Sequence, residues 1–195
     1  MKFDIVLSGV GGQGVLSLSS IIASGAMKEG LYVKQSEVHG MAQRGGAVLA
    51  NLRLSDKPIA SDLIPSGSAA MILSMEPLES LRYLSFLRPD GALITSTTPV
   101  INIPDYPDLN ELLGKIRSVP GAILVESDRL AKAAGSARAA NMVMVGAASH
   151  LLPVKVETME HYIESVFKRK GDQIVEANLK AFRAGREVFT RERHA

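Results

Sequence analysis

The chain has 195 residues, of which 22% are charged, and its formal net charge at pH 7 is +2. This near balance lacks the basic excess typical of nucleic-acid-binding proteins. The sequence contains no cysteine, which excludes disulfides, thiolate nucleophiles and cysteine-ligated zinc or iron–sulfur sites within it. No apolar run reaches the roughly 18 residues of a membrane span, and the start does not resemble a signal peptide. We therefore expect one cytoplasmic domain over residues 1–195, with no nucleic-acid or membrane partner.

The first predicted unit is a strand, a glycine turn and a helix. Phe3–Leu7 is apolar at nearly every position, as in a strand buried on both faces. Gly9, Gly11 and Gly14 then follow the G-x-G-x-x-G spacing before a helix predicted over Val15–Lys28. Such a turn presents backbone N–H groups and the positive end of the helix dipole to an anion. We interpret it as an anion-binding turn, with a turn that only packs the helix on the sheet as the alternative. Its candidate binding residues are Gly9, Gly11, Gly12, Gln13 and Gly14.

A second glycine segment follows the first helix. Gly30 ends the helix, and the sequence predicts a short strand over Leu31–Gln35 and a polar loop over Ser36–Gly46 (SEVHGMAQRGG). Loops of this mixed polar composition often bind ligands or partners; the alternative is a solvated crossover loop. We expect the loop to lie beside the first turn, because consecutive strand ends in a parallel α/β sheet share one edge. Arg44 supplies a planar cation suited to phosphate or carboxylate. The candidate binding residues of the loop are Glu37, His39, Gln43, Arg44, Gly45 and Gly46.

The remaining sequence predicts further strands and helices. Strands are predicted over Ala47–Leu54, Ala69–Ser74, Ala92–Ser96 and Ala122–Glu126, with residues 59–61 pairing back as part of a hairpin. Helices are predicted for about 11 residues from Pro77, over Leu109–Arg117, Asp128–Gly135, Ala139–Leu152 and Val156–Lys168, and at the C-terminal end. A turn is predicted at residues 89–91. Residues 97–108 contain three prolines and are predicted to be irregular. The pattern predicts a three-layer α/β/α fold with a mixed, mostly parallel sheet, a Rossmann-like glycine turn and C-terminal helices.

Both glycine motifs together resemble a known family. The strand–GVGGQGV–helix unit and SEVHGMAQRGG are similar to the gamma-type subunits of 2-oxoacid:ferredoxin oxidoreductases. With Glu37, His39, Met41 and Gln43, the second motif is most similar to the beta subunits of indolepyruvate ferredoxin oxidoreductases. The segments SDLIPSGSA (residues 61–69) and MEPLESLR (residues 75–82) fit the same family, so the resemblance covers most of the chain.

The resemblance implies a division of labour between subunits. A large partner subunit would decarboxylate a 2-oxoacid on thiamine diphosphate with magnesium, and its iron–sulfur clusters would pass electrons to ferredoxin while the acyl group goes to coenzyme A. This chain would then be the cluster-free subunit, inactive alone, with no catalytic residue, no metal ligand and no firmly bound cofactor. Coenzyme A is the ligand that the shared glycine site could hold. The 2-oxoacid stays open between aryl pyruvates such as indolepyruvate, pyruvate and branched-chain acids.

Two interpretations from other classes stay open. An NAD(P)-binding dehydrogenase domain would use Glu37, at the tip of the second strand, to hold a ribose. A regulatory module would bind an acyl-CoA or a nucleotide at the same glycine turn. Co-purification with a large thiamine- and cluster-containing chain would separate both from the subunit interpretation.

Overall fold

The structure, a computed structural model, describes residues 1–39 and 45–192. These residues form one six-stranded sheet and seven α-helices. The strands are β1 (Lys2–Val10), β2 (Tyr32–His39), β3 (Ala47–Ser55), β4 (Ala69–Ser74), β5 (Leu87–Ser96) and β6 (Ala122–Val125). The helices are α1 (Val15–Lys28), α2 (Pro77–Arg82), α3 (Leu109–Arg117), α4 (Ser127–Ala133), α5 (Ala140–Ala148), α6 (Val156–Phe167) and α7 (Asp172–Glu192).

The sheet is mixed and mostly parallel, as the sequence predicts. Its strand order is β2-β3-β1-β4-β5-β6. Strands β1, β4, β5 and β6 pair in parallel, whereas β3 pairs antiparallel with both β1 and β2. The carboxyl ends of β1, β2, β4, β5 and β6 therefore lie at one edge of the sheet, together with the start of β3.

The fold has the three layers that the sequence predicts. Side chains along a strand alternate between the two faces of the sheet. Ile5 and Leu7 of β1 belong to the core shared with α1, α5, α6 and α7, whereas Val6 belongs to the core shared with α2 and α3. All three side chains are fully buried, so β1 is covered by helices on both faces.

The second strand is longer than predicted and lies elsewhere in the sheet. The predicted loop over Ser36–Gly46 is wrong for its first four residues, because β2 continues to His39. Strand β2 lies at one edge of the sheet, and β3 separates it from β1. The polar residues of β2 adopt the extended conformation because β3 supplies their hydrogen-bonding partner, with Glu37 opposite Ala50. Local hydrophobic pattern alone did not indicate this pairing.

The predicted hairpin strand at residues 59–61 is also wrong, since no strand forms there. Instead, the Nζ atom of Lys34 donates to the Ala60 carbonyl at 3.0 Å. Nη1 of Arg53 donates to the carbonyl groups of Ser61 at 2.9 Å and Leu63 at 2.7 Å. Side chains of β2 and β3 thus bind carbonyl groups that a strand ladder would have used. The antiparallel part of the sheet is β3.

The helix that begins at Pro77 is about half as long as predicted. It ends at Arg82, a single 3₁₀ turn follows over Leu84–Phe86, and β5 begins at Leu87. The turn predicted at residues 89–91 lies inside β5. A register shift between β4 and β5 accommodates these residues, so the strand continues past the proline and glycine.

The C-terminal helices pack tightly against the sheet and each other. Every residue of α5 is buried, as its almost entirely apolar sequence predicts. A Cβ atom added to Gly146 of α5 would lie 1.9 Å from the carbonyl oxygen of Phe182 on α7. One added to Gly185 of α7 would lie 1.9 Å from the carbonyl oxygen of Val143. The two helices therefore cross with their backbones in direct contact. Within residues 1–39 and 45–192, no helix is long and apolar enough to cross a membrane.

Candidate functional site at the glycine junction

The glycine turn connects the end of β1 to the start of α1. Gly14 precedes the helix with φ 83°, in the left-handed region that favours glycine, and no side chain caps the helix start by hydrogen bonding. The first turn of α1 thus lacks a capping side chain, an arrangement suited to an anion. Gly9 allows close packing, because a Cβ atom there would lie 2.9 Å from both Gln13 Oε1 and Val15 Cγ2.

Gln13 holds the turn against the sheet. Its Oε1 accepts from the Val10 amide at 2.8 Å, and its Nε2 donates to the Met75 carbonyl at 3.0 Å. The side chain therefore connects the end of β1 to the residue that follows β4. From the sequence, Gln13 is a candidate binding residue. In the structure, both ends of its side-chain amide are bonded to the backbone and shape the turn.

The two glycine segments meet. The Gly11 amide donates to the Gly46 carbonyl at 2.8 Å, and the Gly45 amide donates to the Gly11 carbonyl at 3.3 Å. We call Gly9–Gly14 together with Gly45–Gly46 the glycine junction. The sequence predicted this proximity from parallel strand ends, but the actual cause is the antiparallel pair in which Val10 lies opposite Ala47.

The other proposed residues of the loop lie at or beyond the edge of the junction. In the strand register, Glu37 and Leu7 both lie opposite Ala50, on its two sides. Glu37 is therefore two strands, or about 10 Å, from β1. It is exposed and lies inside β2 instead of at a strand tip. His39 is the last residue of β2. Gln43 and Arg44 lie outside the described residues.

Sequence reasoning missed a third segment of the site, residues 97–108. The Nδ2 atom of Asn102 donates to the Gly45 carbonyl at 2.8 Å. Glu76 Oε1 accepts from the Val100 amide at 3.3 Å and from the Tyr106 hydroxyl. The available signal was a proline-rich stretch directly after a buried strand at the carboxyl edge, where ligand-binding loops collect. That signal places the segment but does not identify Asn102.

The Tyr106 hydroxyl has a perturbed environment. Burial raises the pKa of Tyr106, and its hydrogen bond to the Glu76 carboxylate raises this pKa further. The phenol therefore keeps its proton and acts as a donor to Glu76 at physiological pH. In the part of the chain that the structure describes, no group of three His, Asp or Glu side chains could hold a metal ion.

Comparison with known proteins identifies the family. Residues 4–188 match the sequence model of the protein family pyruvate ferredoxin/flavodoxin oxidoreductase. The chain belongs to this family. It is 41% identical to the indolepyruvate oxidoreductase subunit IorB of Archaeoglobus fulgidus, an alignment that covers 95% of this chain and 94% of that protein. The resemblance read from the two glycine motifs is confirmed.

Solved structures of the oxidoreductase family share the fold. The gamma subunit of the keto/oxoacid ferredoxin oxidoreductase from Geobacter sulfurreducens matches with a TM-score of 0.70 and 27% identity, covering 97% of this chain and 99% of that one. The 2-oxoglutarate:ferredoxin oxidoreductase from Magnetococcus marinus, solved with 2-oxoglutarate, coenzyme A and succinyl-CoA bound, matches with a TM-score of 0.77 and 22% identity. That match covers 97% of this chain and 31% of the longer one, and at this identity it concerns the fold alone.

The topology also weighs against the dehydrogenase alternative. A dinucleotide site of the Rossmann type places an acid at the tip of the parallel strand beside the glycine turn. Here the neighbours of β1 are the antiparallel strand β3 and the later strand β4. Glu37, the acid that this alternative needs, lies two strands away from β1.

Proposed function

We propose that this chain is the cluster-free, gamma-type subunit of an indolepyruvate ferredoxin oxidoreductase. The complete enzyme would oxidatively decarboxylate an aryl pyruvate to its acyl-CoA, with ferredoxin as the electron acceptor. The observation that carries the proposal is the 41% identity with IorB over nearly the whole length of both chains. The same role for pyruvate or a branched-chain 2-oxoacid is the alternative.

The proposed partner is a large subunit that carries thiamine diphosphate, magnesium and the iron–sulfur clusters. This sequence has no cysteine, so it offers no thiolate ligand to a cluster. Within the complex, residues 1–195 would act as a single domain in the cytoplasm. Ferredoxin would meet the complex through the large subunit.

The glycine junction is the proposed contact between this chain and coenzyme A. Support comes from the uncapped start of α1, where an anion such as a phosphate is favoured. Arg44 would add a planar cation, and His39 and Gln43 would add hydrogen bonds. In this role Gly11, Gly12, Gly45 and Gly46 would let the ligand approach the backbone closely, while Gln13 would hold the turn in shape. Glu37, on edge strand β2, would contribute to the surrounding surface.

The test is reconstitution with the proposed large subunit that carries thiamine diphosphate and the iron–sulfur clusters. The complex should reduce a viologen dye in the presence of a 2-oxoacid and coenzyme A, and kcat/KM should be highest for indolepyruvate. The isolated chain should be inactive. A clear preference for pyruvate or a branched-chain acid would favour the alternative substrate. Turnover by the isolated chain would contradict the subunit assignment. If no complex turned over a 2-oxoacid while the chain alone bound a nucleotide, it would be a binding module instead.

A further inference from the structure

A buried carboxylate anchors the segment after β5. Glu76 is 1% exposed and caps the start of α2, where its Oε2 accepts from the Glu79 amide at 2.8 Å. Its Oε1 accepts from the Val100 amide at 3.3 Å and from the Tyr106 hydroxyl. Both carboxylate oxygens are thus engaged, and the segment between Val100 and Tyr106 is held at both of its ends.

Asn102 lies between these two anchors and reaches the glycine junction. Its Nδ2 donates to the Gly45 carbonyl at 2.8 Å. Its neighbours Ile101 and Ile103 are 74% and 40% exposed. Among the described residues, the contact that joins this segment to the junction is the hydrogen bond from Asn102.

The described contacts of Gly45 are hydrogen bonds of its backbone. Gly45 has φ 78°, and a Cβ atom added to it would meet no atom of the described residues within 4 Å. Within the described residues, its amide donates to the Gly11 carbonyl at 3.3 Å, and its carbonyl accepts from Nδ2 of Asn102 at 2.8 Å. Gly45 is exposed, and an exposed backbone that is held by hydrogen bonds loosens when one of them is removed.

We infer that Asn102 is a positioning residue for the glycine junction. A continuous series of hydrogen bonds runs from Glu76 through residues 100–106 to Gly45 and Gly11. Asn102 fixes the Gly45–Gly46 backbone beside the first turn, and with it the arrangement of the glycine junction before the start of α1. The consequence for coenzyme A rests on the function proposed above; the positioning of the backbone does not.

The first test measures backbone protection in the purified full-length chain. Asn102→Ala and the isosteric Asn102→Asp, which removes the donor, should increase amide hydrogen exchange at Gly11 and Gly45 about 3- to 10-fold, as expected for loss of one hydrogen bond. Asn102→Gln keeps an amide donor and should restore part of the protection. Asn110→Ala, at an exposed asparagine in α3, is the matched control and should leave both rates unchanged. Unchanged protection in Asn102→Ala and Asn102→Asp would overturn the inference.

The second test uses the reconstituted complex. Asn102→Ala should raise the KM for coenzyme A about 3- to 10-fold with kcat nearly unchanged, and Tyr106→Phe should act in the same direction with a smaller effect. If Asn102→Ala lowered the melting temperature together with kcat and kcat/KM, Asn102 would have a general structural role, and the positioning role would be refuted. If the wild-type complex used no coenzyme A, the proposed function would fail, whereas the exchange result would still decide the role of Asn102.

Discussion

The crossing of α5 and α7 makes a sharp prediction about stability. The Cβ atom of alanine at position 146 would lie 1.9 Å from the Phe182 carbonyl oxygen and 3.1 Å from the Arg186 amide nitrogen. Contacts of Cβ atoms below 3.0 Å are essentially never seen, so the helices would have to separate by about 1 Å. Both helices are part of the main core, and Phe182 is fully buried. Gly146→Ala therefore separates helices that have no free space between them.

The change in the free energy of unfolding that Gly146→Ala causes follows from two opposing effects. Overpacking a dense core costs about 1–3 kcal/mol and sometimes more, and a backbone clash of this size belongs at the upper end. Alanine recovers up to about 1 kcal/mol through its higher helix propensity. We expect a net loss of at least about 2 kcal/mol, which lowers the melting temperature of a chain of this size by about 4–8 °C. Thermal unfolding followed by circular dichroism measures it.

Gly114→Ala is the matched control for Gly146→Ala. Gly114 is exposed within α3, and a Cβ atom there would meet no other atom within 4 Å. This substitution should raise stability by about 0.5–1 kcal/mol, since only the helix propensity changes. A Gly146→Ala variant that melted at or above the wild-type temperature would refute the backbone-to-backbone crossing.

Three further predictions concern other parts of the molecule. Asp4 and Arg53 form a buried two-bond ion pair, at 3.0 and 3.1 Å, so Asp4→Ala should cost about 3–5 kcal/mol in denaturant unfolding. Asp4→Leu combined with Arg53→Met should recover only part of that loss, because the carbonyl groups of Ser61 and Leu63 then lose their donor. Because the pKa of Tyr106 is raised in the folded state, the unfolded chain loses this proton first as pH rises, so the stability that Tyr106 contributes is present below pH 10 and is lost above it. The unfolding free energy of Tyr106→Phe should therefore decline less steeply at alkaline pH than that of the wild type. An identical decline would show that Tyr106 does not cause it. Arg44→Ala should weaken coenzyme A use or subunit association in the complex while the free chain keeps its melting temperature, and no change in any of the three would remove Arg44 from the proposed site.

Much of the local structure was predictable because it depends on short-range chemistry. The bounds of α1 and α3 match the sequence predictions, since a glycine turn or an aspartate cap begins each helix. Strand β4 also has its predicted bounds, because a short apolar run predicts a buried strand without knowledge of the strands that pair with it. The family was recognisable for the same reason: both glycine motifs are contiguous in sequence.

Strand order and long-range hydrogen bonds were decided only in the tertiary structure. No local pattern indicates that β3 inserts between β1 and β2, because a strand's partner depends on residues far along the chain. The same limit explains the mistaken loop at residues 36–39, whose polar side chains hide a strand that β3 stabilises. It also explains Gln13 and Asn102: their partners, Met75 and Gly45, lie 62 and 57 positions away. The sequence shows which groups need a hydrogen-bonding partner, and the packing of the whole chain decides which partner each group has.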